Sequence, residues 1–187
     1  MSKGSEITRQ ILAYIAFAGV LGVAVTAPHA LVGMARLYAS FKKISPEQAQ
    51  IRRIAQALAS AKRSKLIIVR EKSEGKFLVE LSEKGKRKLK EIEYDELKIL
   101  PLERWDGKWR IIIFDIPKTF HKSIRNAFTI KLKKLGFCVF QKSVWAHAYP
   151  CENEIRFLAE FYGVSRFVHS IVADSITNDA ALRRYFF

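Results

Sequence analysis

The side chains with most to offer chemically are cationic, and they gather in one third of the chain. Arg52, Arg53, Gln56 and Arg63 share one segment, and Lys65, Arg70, Lys72 and Lys76 follow it closely. Guanidinium forks grip phosphate oxygens or the edge of a guanine. Lysines around a turn suit phosphate contact, which positions a protein on nucleic acid without reading sequence. The alternative is a plain solvated face. Cys138 and Cys151 stand thirteen positions apart and the four histidines, His29, His121, His147 and His169, are scattered, so neither a disulfide framework nor zinc-ligand spacing is present. Two reduced thiols in a cytoplasmic protein is the reading that follows.

The charge balance agrees with a polyanionic partner. The chain of 187 residues carries 33 Lys and Arg against 18 Asp and Glu, a net +15. Divided after Lys108, the excess is +9 before and +6 after, so both halves are basic and there is no basic tail. A field of that sign captures nucleic acid first and an anionic membrane surface second.

The elements that must position these cations can be read from periodicity. Ile11 to Val25 is a continuous apolar run of 15 residues, shorter than the roughly 20 that a spanning helix needs. It is expected to form a buried helix, with a membrane or interfacial anchor as the rival. A second helix is expected after Pro28. Ser45-Pro46-Glu47-Gln48 has the cap, first-turn proline and capping-box residue of a third helix, and Ile51, Ile54, Ala55, Leu58 and Ala61 form its apolar stripe. Arg52, Arg53, Gln56, Ser60 and Arg63 point away from that stripe. Leu66–Val69 and Phe77–Leu81 flank a turn at Ser73–Lys76, and Ser82–Ile92 returns to helix. Residues 1–93 therefore read as a winged helix-turn-helix domain, whose third helix enters the major groove while its wing touches the backbone.

Residues 94–108 contain Pro101 and Gly107 among charged residues and read as a linker. From 109 to 187 the expected order is strand, helix, strand, strand, helix, strand. Trp109–Ile116 is the first strand, and the helix after Pro117 reaches about Leu135. That order belongs to a ferredoxin-like domain, so the fold class expected is α+β.

Three stretches carry a resemblance. Trp105-Asp106-Gly107-Lys108-Trp109-Arg110-Ile111-Ile112-Ile113-Phe114-Asp115-Ile116-Pro117, Leu135-Gly136-Phe137 and Gln141-Lys142-Ser143-Val144-Trp145 together resemble the central domain of the PaaX family of transcriptional repressors. That domain is similar in turn to Cas2, a small CRISPR adaptation protein with metal-dependent nuclease activity in some members. The resemblance implies a repressor-like DNA-binding regulator that dimerises through its ferredoxin-like half and binds double-stranded DNA, with no cofactor required. Typical PaaX repressors have a further C-terminal domain that is not expected here, and if that region helps sense a ligand, the family's effector does not carry over.

Asp115 matches the first-strand aspartate of the Cas2-like nucleases. If the chain were a nuclease, Asp115 would be the catalytic and metal-binding residue, and two copies across a dimer axis could share Mg²⁺. One chain supplies only one carboxylate here, and an Asp before Ile-Pro equally serves to accept turn N–H groups. Ser143 is expected to be a structural hydrogen-bonding residue. Trp105, Trp109 and Trp145 are expected in the core or at a dimer contact.

Overall fold

The computed structural model describes residues 3–18, 21–24, 35, 39, 48–73, 76–117 and 122–187, with backbone alone at 3–5, 17–18, 21–24, 48–50, 71–73 and 76–77. The fold mixes helices with antiparallel sheets, in agreement with the α+β expectation. The chain divides into two units, Met1–Glu93 and Tyr94–Phe187.

In the first unit, helix α1 (Lys3–Ala18) buries Ile11, Leu12 and Ile15, which recur at three- and four-residue spacing. The expected single helix over Ile11–Val25 is not formed. α1 ends at Ala18, and Leu21–Ala24 is strand β1, paired antiparallel with β3 from Leu21↔Val79 to Ala24↔Lys76. The interruption falls where Gly19 and Gly22 dilute the apolar run, and glycine is among the weakest helix formers. Among the described residues no helix is long and apolar enough to cross a membrane. Of the helix expected after Pro28, only Ala35 and Ala39 are described; both are helical and buried. The expected cap at Ser45, Pro46 and Glu47 lies outside the described residues.

Helix α2 (Gln48–Arg63) lays Ile54, Leu58 and Ala61 into the same core as α1. Strands β2 (Ile67–Ser73) and β3 (Lys76–Leu81) form the expected hairpin, and the sheet order is β1-β3-β2. Val79 and Leu81 point into the core from the central strand. Helix α3 (Glu83–Glu96) follows at once.

In the second unit, β4 (Trp109–Phe114), β5 (Cys138–Gln141), β6 (Val144–His147) and β7 (Val168–Ala173) make one antiparallel sheet in the order β5-β6-β4-β7. Helices α4 (Lys122–Lys134) and α5 (Glu152–Phe161) cover one face. There Ile112, Phe114 and Trp145 from the sheet meet Phe128, Leu132, Ile155 and Leu158. Alternation sends Trp109 and Ile111 to the opposite face. Part of that face is covered by a short helix, α6 (Ala180–Phe186), through Leu182 and Phe186.

The segment 94–108, expected as a linker, is built into the second unit. Tyr94, Leu97 and Ile99 pack on its helix-side core, and the Tyr94 hydroxyl lies 2.7 Å from that of Tyr162. Lys131 donates to the Tyr94 carbonyl and sits 4.2 Å over its ring. Trp105 packs 4.9 Å from Trp109 on the other face. Gly107 does sit at a bend, with φ +76°, but apolar and aromatic side chains on either side of it have enough surface to bury, so this segment packs down.

Candidate nucleic-acid interface

Helix α2 carries no Asp or Glu, so nothing within the helix neutralises Arg52, Arg53, Lys62 and Arg63. At 3.6 residues per turn, Arg52, Gln56 and Arg63 fall within one narrow stripe on the side opposite Ile54, Leu58 and Ala61. All three are exposed. Arg53 lies to one side of that stripe and, with Gln56, Ala57 and Ser60, borders an open cleft of about 730 Å³ whose other wall is Glu6, Ile7 and Thr8 of α1. All four residues that sequence grouped are exposed. Arg52, Gln56 and Arg63 share the outward stripe, and Gln56 also borders the cleft beside α1 together with Arg53.

Lys65 ends this helix in an unusual way. Its φ is +57°, the left-handed conformation usually taken by glycine after a helix. Its N–H donates to the Lys62 carbonyl at 3.0 Å and that of Leu66 to Ala61 at 2.8 Å, the paired bonds of a Schellman motif. The side chain is exposed. The Ser82 hydroxyl donates to the Lys65 carbonyl at 2.6 Å and accepts from the Gly85 N–H at 3.0 Å, so one side chain caps α3 and holds the end of α2. Lys84 adds a bond from its ammonium to the Ser64 carbonyl at 3.0 Å.

On the hairpin, Arg70 is 65% exposed and pairs with Glu80 at 3.3 Å, one strand over. An exposed pair of this kind contributes up to about 1 kcal/mol and leaves the guanidinium able to exchange partners. Lys72 and Lys76 are placed by backbone register in β2 and β3; their side chains lie outside the described residues.

The second candidate, Asp115, sits just past the end of β4 and is exposed. Its N–H donates to the Phe167 carbonyl at 3.1 Å, and the N–H of Phe114 donates to the Ser143 carbonyl at 3.0 Å. Arg125 of α4 donates to the Ser143 hydroxyl at 3.1 Å, which gives Ser143 the hydrogen-bonding part expected of it. Among the described residues no group of three or more His, Cys, Asp or Glu converges on a point. Mg²⁺ favours an octahedral set of oxygens, with one or two carboxylates. A single exposed carboxylate does not make that set within one chain.

Sequence reasoning passed over the strongest polar constellation. Arg110 is buried and meets Asp106 head-on, with Nη1 at 2.7 Å from Oδ1 and Nη2 at 2.6 Å from Oδ2. Nη1 also donates to the carbonyls of Lys108 and Ala148, at 3.0 and 3.2 Å. The Arg110 hydrogen bonds hold the Asp106 carboxyl down at about 2. Spacing by four inside Trp105–Trp109-Arg110 was the available signal, but it lies in an irregular segment where helical spacing rules have no force. Burial pushes the Cys151 thiol up to about 12 and raises Cys138, so neither is a thiolate at neutral pH.

Residues 102–183 match the family model described as the PaaX protein central Cas2-like domain. That stretch of the second unit is similar to the PaaX central domain. No match to a curated protein was found. The PaaX-type region begins within the segment expected as a linker and ends inside α6, so the Asp106–Arg110 pair, Asp115 and Ser143 all fall within it.

Proposed function

We propose that this PaaX-like protein is a DNA-binding transcriptional regulator that acts in the cytoplasm as a homodimer. The observation that carries the reading is the acid-free stripe Arg52–Gln56–Arg63 on α2, next to the hairpin that bears Arg70, in a chain whose second unit is of PaaX type. The order of elements in the first unit, with three strands and a hairpin after the cationic helix, supports a winged helix-turn-helix. In such a domain α2 would lie in the major groove with Lys65, Arg70, Lys72 and Lys76 near phosphates. The antiparallel β5-β6-β4-β7 order supports a ferredoxin-like second domain. A two-fold dimer would read an inverted repeat.

The test is fluorescence anisotropy with duplex from the region upstream of the protein's own gene against scrambled duplex, across a range of salt. Preference for the upstream duplex, with log affinity falling linearly with log salt, is the expected result. Equal affinity for both duplexes removes operator recognition.

A nuclease reading rests on Asp115 standing exposed at the strand end of a Cas2-like domain. Its donor set is incomplete in one chain, so it requires a second copy. Mg²⁺-dependent cutting of RNA or DNA that Asp115→Ala abolishes would favour it. Cutting that survives the substitution removes Asp115 from the chemistry.

A further inference from the structure

The second unit has charge at one end that the regulator reading has not used. From Ile116 to Cys151 the sequence has seven Lys and Arg and no Asp or Glu. The fold collects the front of this stretch at the end of the sheet where β4 finishes. The Phe114 N–H to Ser143 carbonyl bond ties the β5–β6 turn to the end of β4, and Arg125 reaches from α4 to the Ser143 hydroxyl. Lys142 on that turn and Lys122 at the start of α4 are exposed. Arg166, on the turn Ser165–Phe167, lies 4.6 Å over the Phe167 ring, and the Phe167 carbonyl accepts from Asp115. Along these segments Asp115 is the only acid among the described residues; Glu160, late in α5, is the carboxylate that the helical side brings to this end.

Lysines alone describe a solvated face. A second feature sets this one apart. The register of β5 slips between Val139 and Gln141, so Phe140 has no partner across the ladder and remains 42% exposed on an edge strand, two residues from Lys142. Bulges of this kind re-aim a side chain. An exposed ring beside cations can pack on a sugar while the cations meet phosphates.

We propose that Lys122, Arg125, Lys142 and Phe140 form a second nucleic-acid contact, with the three cations on the phosphate backbone of duplex DNA and Phe140 against its sugars. The proposal extends the regulator reading: it predicts that the PaaX-type unit binds DNA directly as well as pairing subunits.

The experiment measures the salt dependence of duplex binding for the full chain, for Lys122→Gln/Lys142→Gln, for Phe140→Ala and for Arg52→Gln/Arg63→Gln, with thermal melting to confirm folding. Removing one cation from a phosphate lowers the slope of log affinity against log salt by about 1. The lysine pair is expected to lower it by about 2, and Phe140→Ala to weaken affinity with the slope unchanged. Arg125→Gln serves only if it melts as the parent does, since Arg125 also holds Ser143. If Arg52→Gln/Arg63→Gln flattens the slope while the lysine pair leaves slope and affinity alone, this second DNA surface is overturned and the reading of the first unit stands. The converse result overturns the role of α2 and keeps the second surface. A fall in assembly mass by light scattering, with DNA binding unchanged in the lysine pair, would make the patch a protein–protein surface and overturn the proposal.

Discussion

Arg110 and Asp106 show how much one buried guanidinium asks of an exposed carboxylate beside it. The guanidinium is removed from water and has its charge met by one carboxylate at bidentate distance, two carbonyls, and Glu152 at 3.7 Å. Breaking one side of such a pair leaves an uncompensated charge, whereas removing both partners does not. Asp106→Asn is therefore expected to cost about 1–2 kcal/mol in urea denaturation, the exposed carboxylate being partly screened. The double variant Asp106→Asn/Arg110→Met should cost less than the single; penalties that simply add would show that the two side chains act independently. Lys65 carries the opposite lesson. A lysine holds a left-handed position that glycine takes without strain, so Lys65→Gly should raise stability by about 1 kcal/mol. If the lysine is kept there for a phosphate, the same variant should lower the salt slope of DNA binding by about 1. A stability gain with an unchanged slope would leave Lys65 as a helix end and nothing more.

At the scale of elements, the tightest constraint is the approach of α3 to the turn after α2. A Cβ on Gly85 would lie 2.0 Å from the Leu66 carbonyl oxygen, backbone that cannot swing aside. Gly85→Ala should cost at least about 3 kcal/mol, against about 1 kcal/mol for the neighbouring cap variant Ser82→Ala; equal costs in denaturant melts would mean that the backbone gives way. This requirement was not visible in Ser82-Glu83-Lys84-Gly85, which reads from sequence as an ordinary capped helix. Other elements were legible because they follow from neighbours in sequence: the stripe Ile54–Leu58–Ala61, the hairpin and the apolar strand β4. The apolar run from Ile11 misleads because hydrophobicity without period does not distinguish helix from strand, and its last residues are held by pairing with β3, more than fifty positions away. Helix α6 escapes notice for the same reason. It has only seven residues, and its Leu182 and Phe186 gain their place from Trp109 and Ala146 across the sheet. Among the site residues, types and exposure were legible on α2, while the cleft that Arg53 and Gln56 border depends on α1 lying beside them.

For the whole molecule, acid provides a way to tell the units apart. Two groups in the second unit lose stabilising interactions on protonation, and both have depressed pKa values. His147 is buried, its Nδ1 accepts from the Tyr149 N–H at 3.0 Å, and burial lowers its pKa. The unfolded chain takes up that proton near the ordinary histidine value of about 6.5, so stability falls as pH drops below it. Asp106 is held down at about 2 against an ordinary 3.8, so its contribution is present above the ordinary value and is lost as pH falls toward 2. With partial exposure screening the pair, about 1–2 kcal/mol is a fair size for that second loss. In the first unit, the carboxylates with depressed values are Glu83, exposed, and Glu6, half-exposed; both pair within their own helix near the surface, so acid withdraws little there. The three tryptophans, at 105, 109 and 145, all belong to the second unit, which makes their fluorescence a reporter of that unit alone. Titrated from pH 7 to pH 2, tryptophan emission should therefore complete its change while far-ultraviolet dichroism still retains the helices of the first unit. His147→Gln should remove the part of the fluorescence transition that begins near pH 6, leaving the part below pH 4. Coincident fluorescence and dichroism curves, or a dichroism change that leads, would contradict the placement of the acid-sensitive interactions in the PaaX-type half.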